Sequence, residues 1–357
     1  MASIISFTAF TFTAEQIRDI NELVFDEILH APDLNAIHTL FSGIEYDKEI
    51  GFITGGGLVG VAAQGCDPVP QDFSVGTRKV TWQPKPWEVF ISECASELDD
   101  TAATYARNKG VRIDDLTDTD YMAIVVSVLT DSVKDFMYRL AWFNDTEAEN
   151  YNQSSAPTGI ITPGVDTNYF NLIDGYWKQL SAAVTAEASL LVAVGANAKT
   201  TKALQMSSMD ADAAYALLSS MYYAAPIEMR GSGNMRFLVT QSIADAYQQY
   251  LTGKGIESTY KNLVDGVRAL SFLGVDVVPM PIWDKMIRSY NDLGATYYKP
   301  HRALLIEKAN LAIGTPSEEA YGAFDIWFDK TSRKNYVLIK DKFDAKLLNA
   351  KRFVLGW

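Results

Sequence analysis

The residues most suggestive of chemistry lie at 55–60. Gly55-Gly56-Gly57-Leu58-Val59-Gly60 fits the G-x-G-x-x-G spacing that lets a backbone approach a pyrophosphate, and it follows an apolar run, Ile50–Thr54, that reads as a strand. A dinucleotide site also needs the third glycine to open a helix, because the phosphate sits on that helix's N-terminus. Gly65, Pro68 and Pro70 interrupt any such helix at once, so the run is expected to be a flexible loop. No Walker-type phosphate loop and no Gly-x-Ser-x-Gly elbow occurs in the chain.

The other reactive types are scattered. His30, His38 and His301 stand apart, without a second histidine at metal-binding spacing, and each is expected to be structural. Asp99-Asp100 and Asp114-Asp115 could supply acid–base chemistry, but nothing convenes them with a nucleophile, so they read as turns or helix starts. Cys66 and Cys94 lack metal spacing and are too few for a disulfide framework; two reduced thiols of a cytoplasmic protein are expected. Catalytic, cofactor-binding and metal-binding residues are therefore all assigned as none.

Charge narrows the class further. Forty-four acidic against 31 basic residues give a net charge of −13. That balance repels phosphate backbones, which argues against sequence-specific nucleic-acid binding and fits solubility. No stretch is long and apolar enough for a membrane: Ala182–Ala196 is too short and carries Glu187. The first basic residue is Arg18, so no secretory leader is expected.

The elements that would position functional residues follow from periodicity. Ile4–Thr13 alternates Phe and Thr around Phe7, Phe10 and Phe12 and reads as an extended terminal strand, which needs a partner in its own sheet or in a neighbour. Thr13 caps a helix that Pro32 stops. Residues 48–82 read as a long hairpin or loop, and Lys79–Ile91, with Trp82 and Trp87, as strand, turn, strand. Met122, Val125, Val126, Leu129, Val133, Phe136, Met137 and Leu140 stripe a helix over 120–143, with Ser127, Asp131, Lys134 and Arg139 on its outer face. Helical segments are expected at 169–193 and 209–224.

From residue 235 short strands alternate with helices. Strands are expected at Phe237–Thr240, Val267–Phe272, Val275–Val278, Ala303–Ile306 and Leu311–Ile313; Ser242 is expected to cap a helix to Leu251, and Trp283–Tyr290 is helical. Phe324–Asp329 and Tyr336–Ile339 read as a hairpin, followed by a last strand over 343–355. The fold class is α+β.

This order of elements, more than any motif, resembles the Hong Kong 97-type capsid fold of tailed-bacteriophage major capsid proteins. MRFLVTQS (Met235–Ser242) resembles the strand and helix that enter that family's A-domain, and GVRALSFLGVDVVP (Gly266–Pro279) its central strands. NLAIG (Asn310–Gly314) and KFDAKLLNAKRFVL (Lys342–Leu355) resemble further strands, the latter the closing strand of the P-domain. The resemblance implies an N-terminal arm and helix over 1–47, an E-loop over 48–82, a P-domain over 83–231 with spine helix 120–143, an A-domain over 232–322, and P-domain strands over 323–357. It implies an icosahedral head shell of hexamers and pentamers, made in the host bacterial cytoplasm and ending in the virion. Such a shell encloses double-stranded DNA without sequence-specific binding and works with scaffold, portal and decoration proteins. Phe7, Phe10, Phe12, Trp82 and Trp87 are the expected inter-subunit residues.

Two departures from the family matter. Many relatives carry a long N-terminal scaffolding region for which this chain has no room, so a separate scaffold or none is expected. Some relatives join Lys to Asn covalently between subunits; Lys79 and Lys85 flank the loop, but no pair is assigned. Three alternatives remain: an encapsulin-like nanocompartment shell, an enzyme built on an α/β domain at 235–320, and another virion component.

Overall fold

The computed structural model describes residues 37–56, 74–94, 132–152, 159–255, 261–262, 268–316, 324–329, 331–332 and 334–357. The expected arm and first helix, the tip of the 48–82 hairpin with Cys66, both Asp pairs, His30 and residues 120–131 of the long helix lie outside them.

The strands, in chain order, are β1 (Thr39–Phe41), β2 (Lys48–Gly56), β3 (Ser74–Trp82), β4 (Lys85–Cys94), β5 (Leu191–Val192), β6 (Met235–Val239), β7 (Lys261–Asn262), β8 (Arg268–Phe272), β9 (Val275–Pro279), β10 (Ala303–Glu307), β11 (Leu311–Gly314), β12 (Phe324–Asp329), β13 (Lys334–Leu347) and β14 (Phe353–Gly356). The labelled helices are α1 (Tyr176–Ala186), α2 (Lys202–Ser207), α3 (Ala211–Ala224), α4 (Ile227–Ser232), α5 (Gln241–Gly253) and α6 (Pro281–Tyr290); residues 132–143 are also helical.

Seven strands form one mixed sheet in the order β5-β14-β10-β6-β9-β8-β7. Its central strands are apolar without alternation because both faces are covered. Successive residues still part by the two-residue period. Phe237, Val239, Val277, Leu305 and Val354 face Leu217, Leu218, Met221, Ile243 and Tyr247 of α3 and α5. Leu238, Val278, Leu304, Ile306 and Phe353 face the opposite way, into a layer holding Trp142, Trp177 and Trp283. Those three indoles meet edge-on or tilted, at centroid distances of 4.6 to 5.2 Å. Leu273 (φ 48) and Gly274 (φ 81) make the tight turn between β8 and β9. That turn type demands positive φ at both positions, and at Leu273 a branched residue occupies one of them.

The second sheet is organised around β13. Its path is β1-β11-β13-β12, and β4 pairs antiparallel with β13 through ten residue pairs. Val337, Ile339, Phe343 and Ala345 point inward, to the layer that holds Val133, Met137 and Leu140 of the 132–143 helix and Tyr176 and Leu180 of α1. β2 and β3 make a separate two-stranded hairpin of nine pairs, in agreement with the hairpin expected at 48–82.

Four local expectations need correction. The last strand does not run from 343 to 355. β13 carries the chain to Leu347, a turn at 348–352 redirects it, and β14 pairs antiparallel with β10 in the other sheet. Asn310 stitches that turn, its amide donating to the carbonyls of Asn349 (2.8 Å) and Arg352 (3.1 Å). Ser242 does not cap α5: Thr240 is the cap residue, and Ser242 Oγ lies 2.7 Å from His301 Nδ1. Arg139 is not on a solvated face. It is half-buried over the rings of Phe136, Tyr169 and Phe170, and burial lowers its pKa. Finally, Trp82 and Trp87, expected at an interface, are buried inside the chain. Trp82 packs with Ile44 and Ala312 and lies directly on Gly314, where a Cβ would come within 2.7 Å of its ring. Trp87 packs against Phe136 at 5.2 Å.

Candidate assembly surfaces

A protein that must associate needs apolar surface its own fold leaves uncovered. On β4, β12 and β13 the inward residues are consumed by the core, so the outward residues are the ones to inspect. Phe90 (56% exposed), Trp327 (39% exposed) and half-buried Tyr336 come from these three adjacent strands. Phe90 and Trp327 each lie 5.4 Å from Tyr336 and 6.0 Å from each other, and all three planes agree within 21°. A linear stack would put the outer pair near twice the inner spacing. The mutual closeness instead means one contiguous aromatic raft. The exposed Lys340–Glu88 pair (3.4 Å) edges it.

The hairpin is the second candidate surface. Nine pairs at about 3.4 Å per residue make a ribbon roughly 30 Å long. A two-stranded ribbon is marginal on its own in water, so the projection needs a face to lie on. Its root, by contrast, is fixed. Asp344, only 2% exposed, accepts the backbone N–H of Gln83 at 2.7 Å where β3 turns into β4. Burial raises the Asp344 pKa, and Lys346 at 3.3 Å acts against that rise. Lys79 pairs with Glu49 across the hairpin at 2.9 Å.

The histidines within the described residues take structural roles. Trp142 donates its indole N–H to His38 Nε2 at 3.1 Å, and the His38 ring stacks on Tyr176. His301 is fully buried between Ser242 Oγ and the Gln205 carbonyl, and burial lowers its pKa. Among the described residues no group of His, Cys, Asp and Glu could hold a metal ion, and no helix is long and apolar enough to cross a membrane. The raft had a sequence signal, apolar residues on the outward phase of β4 and β12, but the alternation could not say which phase faces out. Phe7, Phe10 and Phe12 lie outside the described residues.

Comparison with solved structures decides the architecture. No protein-family model matches the chain, and no curated protein matches it significantly. A chain of the satellite phage P4 procapsid, solved with its size determination protein, aligns over 97% of this chain and 98% of its own at a TM-score of 0.52 and 11% identity. The chain has the Hong Kong 97-type capsid fold. Similar chains also occur in the bacteriophage PhiM1 mature capsid (TM-score 0.45, 9% identity, 90% and 85% covered) and in the SrpI encapsulin complex of Synechococcus elongatus (0.43, 9%, 89% and 83%). On this fold the β2–β3 hairpin is a separate two-stranded sheet, and β4, β12 and β13 carry the raft.

Proposed function

We propose that this chain is the major capsid protein of a tailed bacteriophage, self-assembling into the icosahedral shell that encloses the genome. The observation that carries the reading is the correspondence with a procapsid chain over 97% of this chain and 98% of that one. The surfaces support it. A shell places copies around closed rings, and such contacts are heterologous: one patch of each copy meets a different patch of the next. The raft and the projecting hairpin are two unlike surfaces of that kind on one chain.

In this reading the products are hexamers and pentamers, and the shell encloses double-stranded DNA without reading its sequence. Scaffold, portal and decoration proteins are the partners, and the mature location is the virion. Residues 1–12 act as an inter-subunit arm. Burying one phenylalanine is worth roughly 1.5–3 kcal/mol, so Phe7, Phe10 and Phe12 together contribute several kcal/mol per subunit before ordering costs.

Negative-stain microscopy and sedimentation velocity of the purified chain test the reading. Closed particles of uniform size are expected, and a stable monomer under all assembly conditions overturns it. Particles that hold a co-purifying cargo protein and never DNA point to an encapsulin-like compartment. Deleting residues 1–12 is expected to leave native circular dichroism and no closed shells. Shells of unchanged stability would remove the arm from the mechanism.

A further inference from the structure

Beside the raft, β13 is flanked by β12 and β4, and among the described residues neither has a strand on its other side. An unpaired edge presents a row of backbone N–H and C=O groups that can take another strand. Charges and proline discourage that. On β12, six residues long, Asp325 and Asp329 stand in one phase with Trp327 and guard the edge. On β4, ten residues long, Pro86 and Glu88 guard only the first part. The stretch Val89-Phe90-Ile91-Ser92 has neither charge nor proline.

That stretch is short of cover on both faces. Phe90, 56% exposed, belongs to the raft. Ile91 belongs to the opposite phase, in which Trp87 is buried and Val89 packs on the core, yet it is 40% exposed. A strand laid along β4 would cover both residues only if it were apolar in both of its phases. The sequence holds such a segment. Ile4–Thr13 is as long as β4, with Ile4, Phe10 and Phe12 in one phase and Ile5 and Phe7 in the other. No charged residue precedes Glu15, so the segment brings no charge to desolvate against the edge. Main-chain hydrogen bonds would supply affinity, and the alternate side chains specificity.

We propose that residues 4–13 of a neighbouring copy add as a strand to the open edge of β4. Phe10 and Phe12 then continue the aromatic raft, and Phe7 covers Ile91. The inference rests on the assembly reading and deepens it, because it names the surface that the arm meets.

A labelled synthetic peptide of residues 2–13, with a lysine pair added for solubility, tests the edge on the unassembled full-length chain by fluorescence anisotropy. Saturable binding is expected. Phe90→Ser with Trp327→Ser, both at exposed positions, should weaken it at least about tenfold. Successive N–H groups of a strand point to opposite sides, so either Thr8→Pro or Ala9→Pro in the peptide removes a donor to β4. At least one of these two peptides should bind about tenfold more weakly. No saturable binding, equal binding by the double variant, or equal binding of both proline peptides overturns the proposal. Particles assembled from equal parts of ordinary and heavy-nitrogen chain, with Phe10 replaced by photoreactive benzoylphenylalanine, then separate neighbour from self. Cross-links onto residues 85–94 that join a light chain to a heavy one are expected, and cross-links confined to one isotope overturn the neighbour's role. If no particles form, the shell reading fails by itself, while the titration of unassembled chain still decides the edge.

Discussion

The two large sheets are made from similar residues and differ in what covers them. The seven-stranded sheet is enclosed by α3 and α5 on one face and by the indole layer on the other, and its central side chains are buried in both phases. The sheet around β13 is covered on both faces at β11, where Trp82 packs on Ala312 and Gly314. Towards β4 and β12, Val337, Ile339 and Phe343 are inside while, among the described residues, Phe90 and Trp327 are exposed. The first sheet completes its core alone. The second has apolar surface to offer, which is where association between copies would act. The lesson is that aromatic content by itself does not mark an interface: Trp82, Trp87 and Trp283 are all internal.

Four experiments would break or sharpen this contrast. The largest effect is expected at Trp283, fully buried and 4.6 and 4.7 Å from Trp142 and Trp177. Trp283→Ala should cost about 3–5 kcal/mol, read from urea midpoints at constant slope. A cost below about 1 kcal/mol, the range of exposed sites, would remove the distinction between the two sheets.

The next concerns pH. The folded chain holds a proton on Asp341 up to about pH 7, whereas the unfolded chain releases it near 3.8. Between those values the folded state binds more protons, so this group's contribution is full at acid pH and is lost as pH rises to about 7. Asp284, pushed up to about 6, and Asp344 act in the same sense, while His301, lowered by burial, acts in the opposite sense. The difference between wild type and Asp341→Asn isolates one group. Across that window the wild type should lose on the order of 3 kcal/mol more than the variant. Parallel pH–stability curves would show that the carboxyl is solvated.

Smaller still is Ser242→Ala. It removes the 2.7 Å contact with His301 and should cost about 1 kcal/mol in chemical denaturation. A loss of several kcal/mol would mean that the pair organises more of the seven-stranded sheet than one hydrogen bond. The smallest effect on folding is expected at the raft. Replacing Phe90 and Trp327 together by Ser should change folding stability by no more than about 1 kcal/mol, the scale of exposed cross-strand pairs. The same double variant should raise the protein concentration needed for assembly, measured by sedimentation velocity. Unchanged assembly would assign the raft to the sheet's own stability.

Much of the architecture was legible in the sequence because strong periodicity and turn residues coincide. Gly274 between two apolar runs announced β8 and β9, and the turn after Asp329 announced β12 and β13. What failed did so for physical reasons. β13 runs on through Lys340, Asp341, Lys342 and Asp344, a charged stretch that reads as a break. It survives because Asp341 and Asp344 bond backbone N–H groups and Lys342 reaches the Glu45 carbonyl. Trp82 was expected between subunits, and only the missing side chain of Gly314, distant in sequence, makes room for it inside the chain. Ser242 looked like a cap, but its partner His301 is 59 positions away. The raft draws on three strands, so no single window of sequence contains it.

The length of β13 has a mechanical consequence. This one strand holds β4 and β12 near its start and β11 near its end, so the raft and the buried layer share a single covalent rod. A pull on Phe90 directed along β4 loads the ten residue pairs between β4 and β13 in parallel, as shear, and the bonds must yield together. The β2–β3 ribbon is anchored chiefly at its root, so a force that spreads its two strands opens its pairs one after another. Under load the body would remain stiff while the ribbon gives, and deformation would concentrate at the turn where Gln83 is tied to Asp344.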